Sequence, residues 1–159
     1  SGWGKTTLLR ILMGLEKPTS GTVQGAGRVS AVFQEDRLCP QLNAVQNVTL
    51  VLPGAETQYR TQIERDFQRL GMDGAACSLP ARKLSGGQKR RTALLRALWA
   101  PGDTLLLDEP FTGMDPETMQ KAAALLKECC GTRPVLLATH DREAIQALGW
   151  PVLELDKQP

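Results

Sequence analysis

An uninterrupted apolar run in the second half of the chain constrains the fold more than any other feature. Leu105, Leu106 and Leu107 follow one another without a polar residue between them, which is typical of a parallel strand buried on both faces. A similar run at residues 135–138 comes after a stretch with helical spacing. Buried strands that alternate with helices predict an α/β fold with a parallel sheet flanked by helices.

Two acidic residues come directly after the first of these runs. Asp108 and Glu109 are expected at the carboxyl end of a strand, which is where open α/β sheets bind their ligands. An aspartate at this point can hold Mg²⁺ directly or through water, and the adjacent glutamate can polarise an attacking water. Taken alone, the pair could equally be two solvated acids at the end of a strand.

The first residues of the chain favour a phosphate site. The segment 1–7 reads SGWGKTT and matches the later part of the phosphate-binding motif G-x-x-x-x-G-K-[ST], in which Lys5 would reach the β- and γ-phosphates and the Thr6 hydroxyl would bind Mg²⁺. A helix follows, and its N-terminus would point towards the anion. A Gly-Lys-Thr turn that only caps a helix is the alternative. The candidate phosphate-binding residues are Ser1, Gly2, Trp3, Gly4, Lys5, Thr6 and Thr7.

Turn and capping residues predict the boundaries of further elements. Apolar residues at helical spacing predict a helix over residues 59–70 that Gly71 closes. Ser85 and the pair Asp115-Pro116 are strong N-terminal caps, so two more helices are expected to begin there. Short extended pieces are expected at residues 22–24, 28–33 and 152–155.

Composition argues against several other classes of protein. The net charge of +2 is too balanced to favour a nucleic-acid surface. Four cysteines and one histidine show no zinc-binding spacing, and reduced cytosolic thiols fit them best. No apolar run approaches the roughly 20 residues needed to cross a bilayer. A solvated helix face is expected for most of the basic residues around residue 85, which are Arg82, Lys83, Lys89, Arg90, Arg91 and Arg96.

A third motif makes the sequence resemble one particular family. Residues 84–88 read LSGGQ, which resembles the signature motif of ATP-binding-cassette (ABC) proteins, a motif that ordinary phosphate-loop enzymes lack. The order of the remaining motifs is also similar to that family: phosphate loop, Gln34 after a strand, signature, Asp108-Glu109, Asp115 and His140. The resemblance covers essentially the whole chain.

The resemblance implies a phosphate-loop NTPase (RecA-like) fold with an inserted α-helical subdomain. We expect one ABC ATPase domain over residues 1–159, with a RecA-like core at 1–37 and 93–159 and a helical subdomain with the signature motif at 38–92. Because the chain begins inside a motif, we expect it to be part of a longer protein whose N-terminal β portion is missing here. Little ATPase activity is therefore expected from these residues alone.

The resemblance also implies how ATP and Mg²⁺ would be bound. ABC proteins hold two ATP molecules between two head-to-tail subunits, so the signature of one subunit completes the site of the other. Glu109 would orient the attacking water, His140 would contact the γ-phosphate, and Lys5 and Gln34 complete the implied catalytic set. The implied Mg²⁺ ligands are Thr6, Gln34 and Asp108. The other implied nucleotide-binding residues are Ser85, Gly86, Gly87, Gln88 and, at the dimer seam, Asp115.

The function implied by the resemblance is ATP hydrolysis that powers solute transport across a membrane. Residues 34–38 and Pro40 resemble importer ATPases of the nitrate/sulfonate/taurine type. The implied partners are a second cassette subunit, transmembrane permease subunits and a solute-binding protein, with no nucleic acid, and the implied location is the cytoplasmic face of the cell membrane. A non-transport ABC ATPase that acts on ribosomes or protein complexes is the alternative.

Overall fold

The computed structural model describes residues 4–155 of the chain. This part contains three β-strands and seven α-helices. In chain order they are α1 (Lys5–Leu12), β1 (Val29–Val32), α2 (Ala44–Thr49), α3 (Arg60–Arg69), α4 (Gly74–Ser78), α5 (Gly86–Trp99), β2 (Thr104–Asp108), α6 (Pro116–Cys129), β3 (Val135–Ala138) and α7 (Arg142–Leu148).

The three strands form one parallel sheet with β2 in the centre. The register places Leu106 between Ala31 of β1 and Leu136 of β3. All residues of β2 after the first are buried, as the apolar run predicts. In β3 only Ala138 is buried and Leu136 is 37% exposed, so the expected burial of this strand is wrong. The reason is its position, because β3 has only β2 as a neighbour within the described sheet.

Helices cover both faces of this sheet. Successive side chains of a strand point to opposite faces, and β2 uses both of them. Leu106 packs with Leu9 of α1 on one face, whereas Leu105 and Leu107 belong to a larger core that includes residues of α5 and α6. The expectation of an α/β fold with a parallel sheet flanked by helices is therefore confirmed.

A second group of helices lies beside α5: α2 and α3 pack directly against α5, and α4 packs against α2 and α3. Ile63 and Phe67 on one face of α3 are fully buried, and they belong to the same core as the strand residues Leu105 and Leu107. The predicted helix end is confirmed, since α3 stops at Arg69 and Gly71 has a φ of 70°. Within residues 4–155 no helix combines the length and the apolar character needed to cross a bilayer.

The predicted caps are confirmed at both helices. Ser85 Oγ accepts a hydrogen bond from the N–H of Gln88 at 3.2 Å, and Gln88 Oε1 accepts one from the N–H of Ser85 at 2.9 Å. These two bonds satisfy backbone donors that have no partner within the helix, and they fix where α5 begins. Asp115 caps α6 in a similar way by accepting from the N–H of Thr118 at 2.9 Å.

Two of the expected extended pieces are not strands. Residues 22–24 and 152–155 have no regular structure, and β1 is confined to Val29–Val32 within the expected piece at 28–33. A strand needs a neighbour that satisfies its backbone N–H and C=O groups, and these two segments pair with no strand in the described part. Val152 and Leu153 are accordingly 58% and 77% exposed.

Candidate active site

The carboxyl end of β2 holds the two acids in different environments. Asp108 is the last residue of the strand, pairs with Ala138 of β3, and is only 5% exposed. Glu109 leaves the strand with a φ of 49°, a backbone conformation that is uncommon outside glycine and that often occurs at functional sites. Its N–H still donates to the carbonyl of Ala138 at 2.9 Å. The chain therefore turns sharply immediately after its last contact with β3.

This turn brings the Glu109 carboxylate to the residues that follow β3. His140 Nδ1 lies 2.6 Å from Glu109 Oε1, and the Thr139 hydroxyl donates to Glu109 Oε2 at 2.9 Å. The two ends of the contact differ in exposure, since the His140 side chain is 78% exposed and the Glu109 side chain 16%. The structure thus brings together two residues that the sequence analysis proposed for the same reaction.

The phosphate-binding motif lies only partly within the described residues. Ser1, Gly2 and Trp3 fall outside them. Gly4 precedes α1 with a φ of 72°, and Lys5 and Thr6 occupy the first turn of the helix. Lys5 and Thr139 both line a cavity of about 510 Å³ that extends along β3, and α1 contacts both β2 and β3.

The donor set at this edge of the sheet suits a hard cation. Within residues 4–155 no three His, Cys, Asp or Glu side chains lie close enough to form a metal site by themselves. A divalent ion near Asp108 would therefore need hydroxyl, amide or phosphate oxygens as further ligands. Thr6 and Gln34 carry such oxygens, and Mg²⁺ in nucleotide sites typically uses one or two carboxylates together with substrate phosphates and waters. The residues present fit a Mg²⁺–nucleotide complex.

Gln34 follows β1, and its main chain is bound to the signature helix α5. Arg90 of α5 donates to the carbonyl of Phe33 at 2.7 Å and to the carbonyl of Gln34. Its Nε lies 3.3 Å from Asp36 Oδ1. Arg96, six residues further along α5, extends this attachment by donating to the carbonyls of residues 36 and 37. Residues 33–37 are therefore attached to α5 through main-chain contacts.

The burial of Arg90 shows that the expectation of a solvated basic face is wrong at this residue. It is only 7% exposed, and the whole guanidinium is engaged with residues 33–36. Arg91 is likewise turned inwards, because it donates to the carbonyl of Leu70 at 2.8 Å, and burial lowers its pKa below the ordinary value. A signal for Arg90 was present in the sequence, since it lies four positions before Leu94 and thus on the apolar stripe of α5.

The tip of α5 is exposed and rests against the loop after β2. Ser85 and Gly86 are exposed, and the capping bonds use the N–H groups of Ser85 and Gln88 but not those of Gly86 and Gly87. A Cβ on Gly87 would lie 3.0 Å from the carbonyl oxygen of Gly113, which is tighter than side chains normally allow. The Gln88 side chain is used for capping and does not project freely. The signature motif therefore presents its helix N-terminus rather than a set of free side chains.

Asp115 belongs to the same surface. Hydrogen bonds from the side chain and the N–H of Thr118 hold the pKa of the Asp115 carboxyl below its ordinary value. The carboxylate is therefore charged near neutral pH and lies at the positive end of the α6 dipole. Its exposure leaves it accessible to a neighbouring molecule.

Sequence reasoning missed Thr139 as well as Arg90. The position of Thr139 between the end of β3 and the cap of α7 could have indicated a hydrogen bond of its hydroxyl. Thr and Ser hydroxyls often bond to the backbone two residues further along the chain. Here the N–H of Asp141 donates to Thr139 Oγ1 at 3.1 Å, and Asp141 then caps α7. Thr139 is thus fixed from both sides.

Comparison with known proteins agrees with the fold and the motif order. The model of a family described as "ABC transporter" matches residues 1–112. The "Aliphatic sulfonates import ATP-binding protein SsuB 1" of Rhodococcus jostii is 43% identical over 99% of this chain and 66% of its own length. The SsuB 2 protein of Paraburkholderia xenovorans is 44% identical over 89% of this chain and 57% of its own length. The chain thus spans about half to two thirds of such relatives.

Solved structures give the same result. The dimeric structure of a post-hydrolysis state of the ATP-binding cassette MJ0796, bound to ADP and Pi, superposes with a TM-score of 0.76 at 26% identity. The match covers 92% of this chain and 74% of that one. The expected phosphate-loop NTPase fold is confirmed by this likeness. Since the family model matches well over half of the residues, the chain belongs to the ABC transporter family.

Proposed function

We propose that this chain is the ATP-binding and ATP-hydrolysing part of a subunit that powers solute import. The observation that carries the proposal is the Glu109 carboxylate at the end of β2, held 2.6 Å from His140. A carboxylate in this position can accept a proton from, and orient, a water that attacks a phosphoryl group. The motif order and the likeness to import ATP-binding proteins support the same function.

The chain's own residues supply three parts of the reaction. The first turn of α1 provides N–H groups and the Lys5 ammonium, which bind and neutralise phosphate oxygens. Glu109 orients the water, and His140 contacts the γ-phosphate. Asp108, Thr6 and Gln34 would hold Mg²⁺, which when bound would supply further neutralisation of the phosphate charge. Because the transition state of phosphoryl transfer is stabilised mainly by positioning and electrostatics, this set is chemically sufficient once the nucleotide is enclosed.

Enclosure would come from a second copy. The exposed N-terminus of α5, with Ser85 and Gly86 at its tip and the Gln88 cap behind it, offers N–H groups and a helix dipole to a γ-phosphate bound by the partner. Asp115 would lie at the seam between the copies. We also propose the division into a RecA-like core at 1–37 and 93–159 and a helical subdomain at 38–92, with α5 continuous between them.

The wider assignment follows from the relatives. Several of them are named as importers of aliphatic sulfonates, and we propose an organic anion of this kind as the solute. The subunit would then work with transmembrane permease subunits and a solute-binding protein, on the cytoplasmic face of the membrane. We favour this function over a non-transport role because relatives named as import proteins match nearly all of this chain.

The test is Glu109→Gln in the full-length protein that carries this chain. The variant should bind ATP as the wild type does, lose turnover by at least about 100-fold, and remain as an ATP-bound dimer on size exclusion. Glu64→Gln is the matched control, because within residues 4–155 Glu64 forms an ion pair with Arg60 of the same helix and no other, so the change should leave turnover unchanged. Wild-type turnover in Glu109→Gln would remove Glu109 from the proposed role.

A further inference from the structure

We propose that Thr139 is a positioning residue that fixes the Glu109 carboxylate for ATP hydrolysis, an inference that rests on the function proposed above. Thr139 contacts no part of the α1 phosphate site through its hydroxyl in the described residues. Instead, the hydroxyl lies between the N–H of Asp141, at 3.1 Å, and Glu109 Oε2, at 2.9 Å. Its action on the reaction is therefore through Glu109.

The hydrogen-bond chemistry of a hydroxyl sets the direction of these two contacts. A threonine hydroxyl has one hydrogen to donate and two lone pairs to accept with. The N–H of Asp141 can only donate, so it occupies a lone pair of Thr139 Oγ1. The single hydroxyl hydrogen is then free for Glu109 Oε2, and an ionised carboxylate can only accept. The contact is thus a charge-assisted hydrogen bond with one possible direction.

Each carboxylate oxygen of Glu109 is held by a different residue. Oε1 contacts His140 Nδ1 at 2.6 Å, and Oε2 contacts the Thr139 hydroxyl at 2.9 Å. The His140 side chain is 78% exposed and can turn towards a bound nucleotide. Thr139 is half-buried, and its hydroxyl is also held by the N–H of Asp141. When His140 engages phosphate, Thr139 is the contact that keeps the carboxylate in place.

The main chain holds Thr139 itself firmly. On its N-terminal side, Ala138 pairs with Asp108 in the sheet, and the Ala138 carbonyl accepts from the N–H of Glu109 at 2.9 Å. On its C-terminal side, Asp141 accepts from the N–H groups of residues 143 and 144 and starts α7. The distance between the Thr139 and Glu109 main chains is thereby fixed, so the hydroxyl acts as a rigid support.

The expected effect follows from this geometry. Glu109 has three rotatable side-chain bonds and begins from a positive φ, so its carboxylate can rotate once one oxygen is released. A misplacement of about 1 Å between reacting groups costs about 100-fold in rate. The loss of one of two supports should cost less, and we expect about a tenfold fall in kcat. The KM for ATP should stay unchanged, because the hydroxyl does not bind the nucleotide.

The experiment compares Thr139→Val with Thr139→Ser in the full-length protein. The valine variant should lose about tenfold in kcat at unchanged KM, and the serine variant should stay within about twofold of wild type. Thr132→Val, at an exposed turn residue before β3, is the matched control and should behave as wild type. A valine variant within twofold of wild type, or a serine variant as slow as valine, would overturn the proposal.

A double mutant separates positioning from an independent effect. In the Glu109→Gln background, Thr139→Val should cause no further loss, because the group on which it acts is already gone. A further tenfold loss there would refute the proposal. If Glu109→Gln itself keeps wild-type turnover, the proposed function of Glu109 fails instead, which is a distinct outcome.

A measurement without nucleotide tests the contact directly. The NMR shift of the Glu109 side-chain carboxyl carbon, in protein labelled with ¹³C-glutamate, should change in Thr139→Val and stay at the wild-type value in Thr139→Ser. An unchanged shift in the valine variant would show that the hydroxyl does not support the carboxylate. This readout also remains informative if the valine variant is less stable, provided that it is recorded on the folded fraction.

Discussion

Replacing Arg90 by methionine should destabilise the protein although Arg90 lies on a helix next to an exposed motif. The guanidinium donates to the carbonyls of Phe33 and Gln34 and lies 3.3 Å from Asp36 Oδ1. Asp36 Oδ1 is buried and, within the described residues, accepts no hydrogen bond, so the charge of Arg90 is its compensation. Methionine can fill the apolar part of the site but leaves all three oxygens without the Arg90 guanidinium.

The loss in the free energy of unfolding can be calculated approximately from these contacts. Removing one partner of a buried ion pair costs about 3–5 kcal/mol. The Asp36 side chain is 24% exposed and Gln34 is exposed, so water can replace part of the loss. The lower end of that range, about 3 kcal/mol, is therefore expected. For a protein of roughly 150–250 residues this corresponds to a fall in Tm of about 6–12 °C.

Thermal denaturation followed by circular dichroism measures this effect. Lys89→Met is the matched control, because Lys89 is the preceding residue of α5 and its side chain makes no hydrogen bond or ion pair within residues 4–155. A surface change of this kind is usually worth less than about 0.5 kcal/mol. Hydrogen exchange should also show faster exchange at residues 33–37 in Arg90→Met only. Equal Tm values for the two variants would refute the reasoning.

Two further predictions concern ionisation. The hydrogen bonds from Thr118 lower the pKa of Asp115 in the folded protein. The charged carboxylate therefore stabilises the fold at pH values above the unfolded pKa of about 3.9. This stabilisation is lost as the pH falls through the lower pKa of the folded state. Asp115→Ala should therefore reduce Tm at pH 7 and much less at pH 3, and an equal reduction at both values would contradict this. Burial raises the pKa of the Cys77 thiol to about 11, so at pH 8 this thiol should react with Ellman's reagent only after urea is added. The Cys77→Ala variant, compared with the wild type before and after urea, identifies the reaction that belongs to Cys77.

The sequence contained enough to predict the central elements and most of the candidate site. The run at Leu105–Leu107 is apolar at every position, which is typical of a strand covered on both faces. The caps at Ser85 and Asp115 were equally clear, because a short polar side chain before a helical stretch satisfies backbone donors locally. Such signals depend on a few neighbouring residues and do not require knowledge of the tertiary fold.

The features that could not be predicted depend on distant partners. Residues 152–155 have strand-forming composition, but a strand exists only where another strand accepts its hydrogen bonds. Arg90 lies on the apolar stripe of α5, but its charge argues for exposure, and the sequence does not show the carbonyl groups 56 and 57 positions away that compensate its burial. The contact of Thr139 with Glu109 likewise joins residues that are 30 positions apart.

The parallel sheet also has a consequence for how the protein is made. Arg28, beside β1, bonds to Asp103, beside β2, although 75 residues separate them. At roughly 5–20 residues per second of synthesis, β1 leaves the ribosome about 4–15 s before its neighbour exists. During that interval α2, α3 and α4 can form from local contacts, whereas β1 still lacks β2. The edge of β1 that pairs with β2 is therefore open to binding by chaperones until β2 is synthesised.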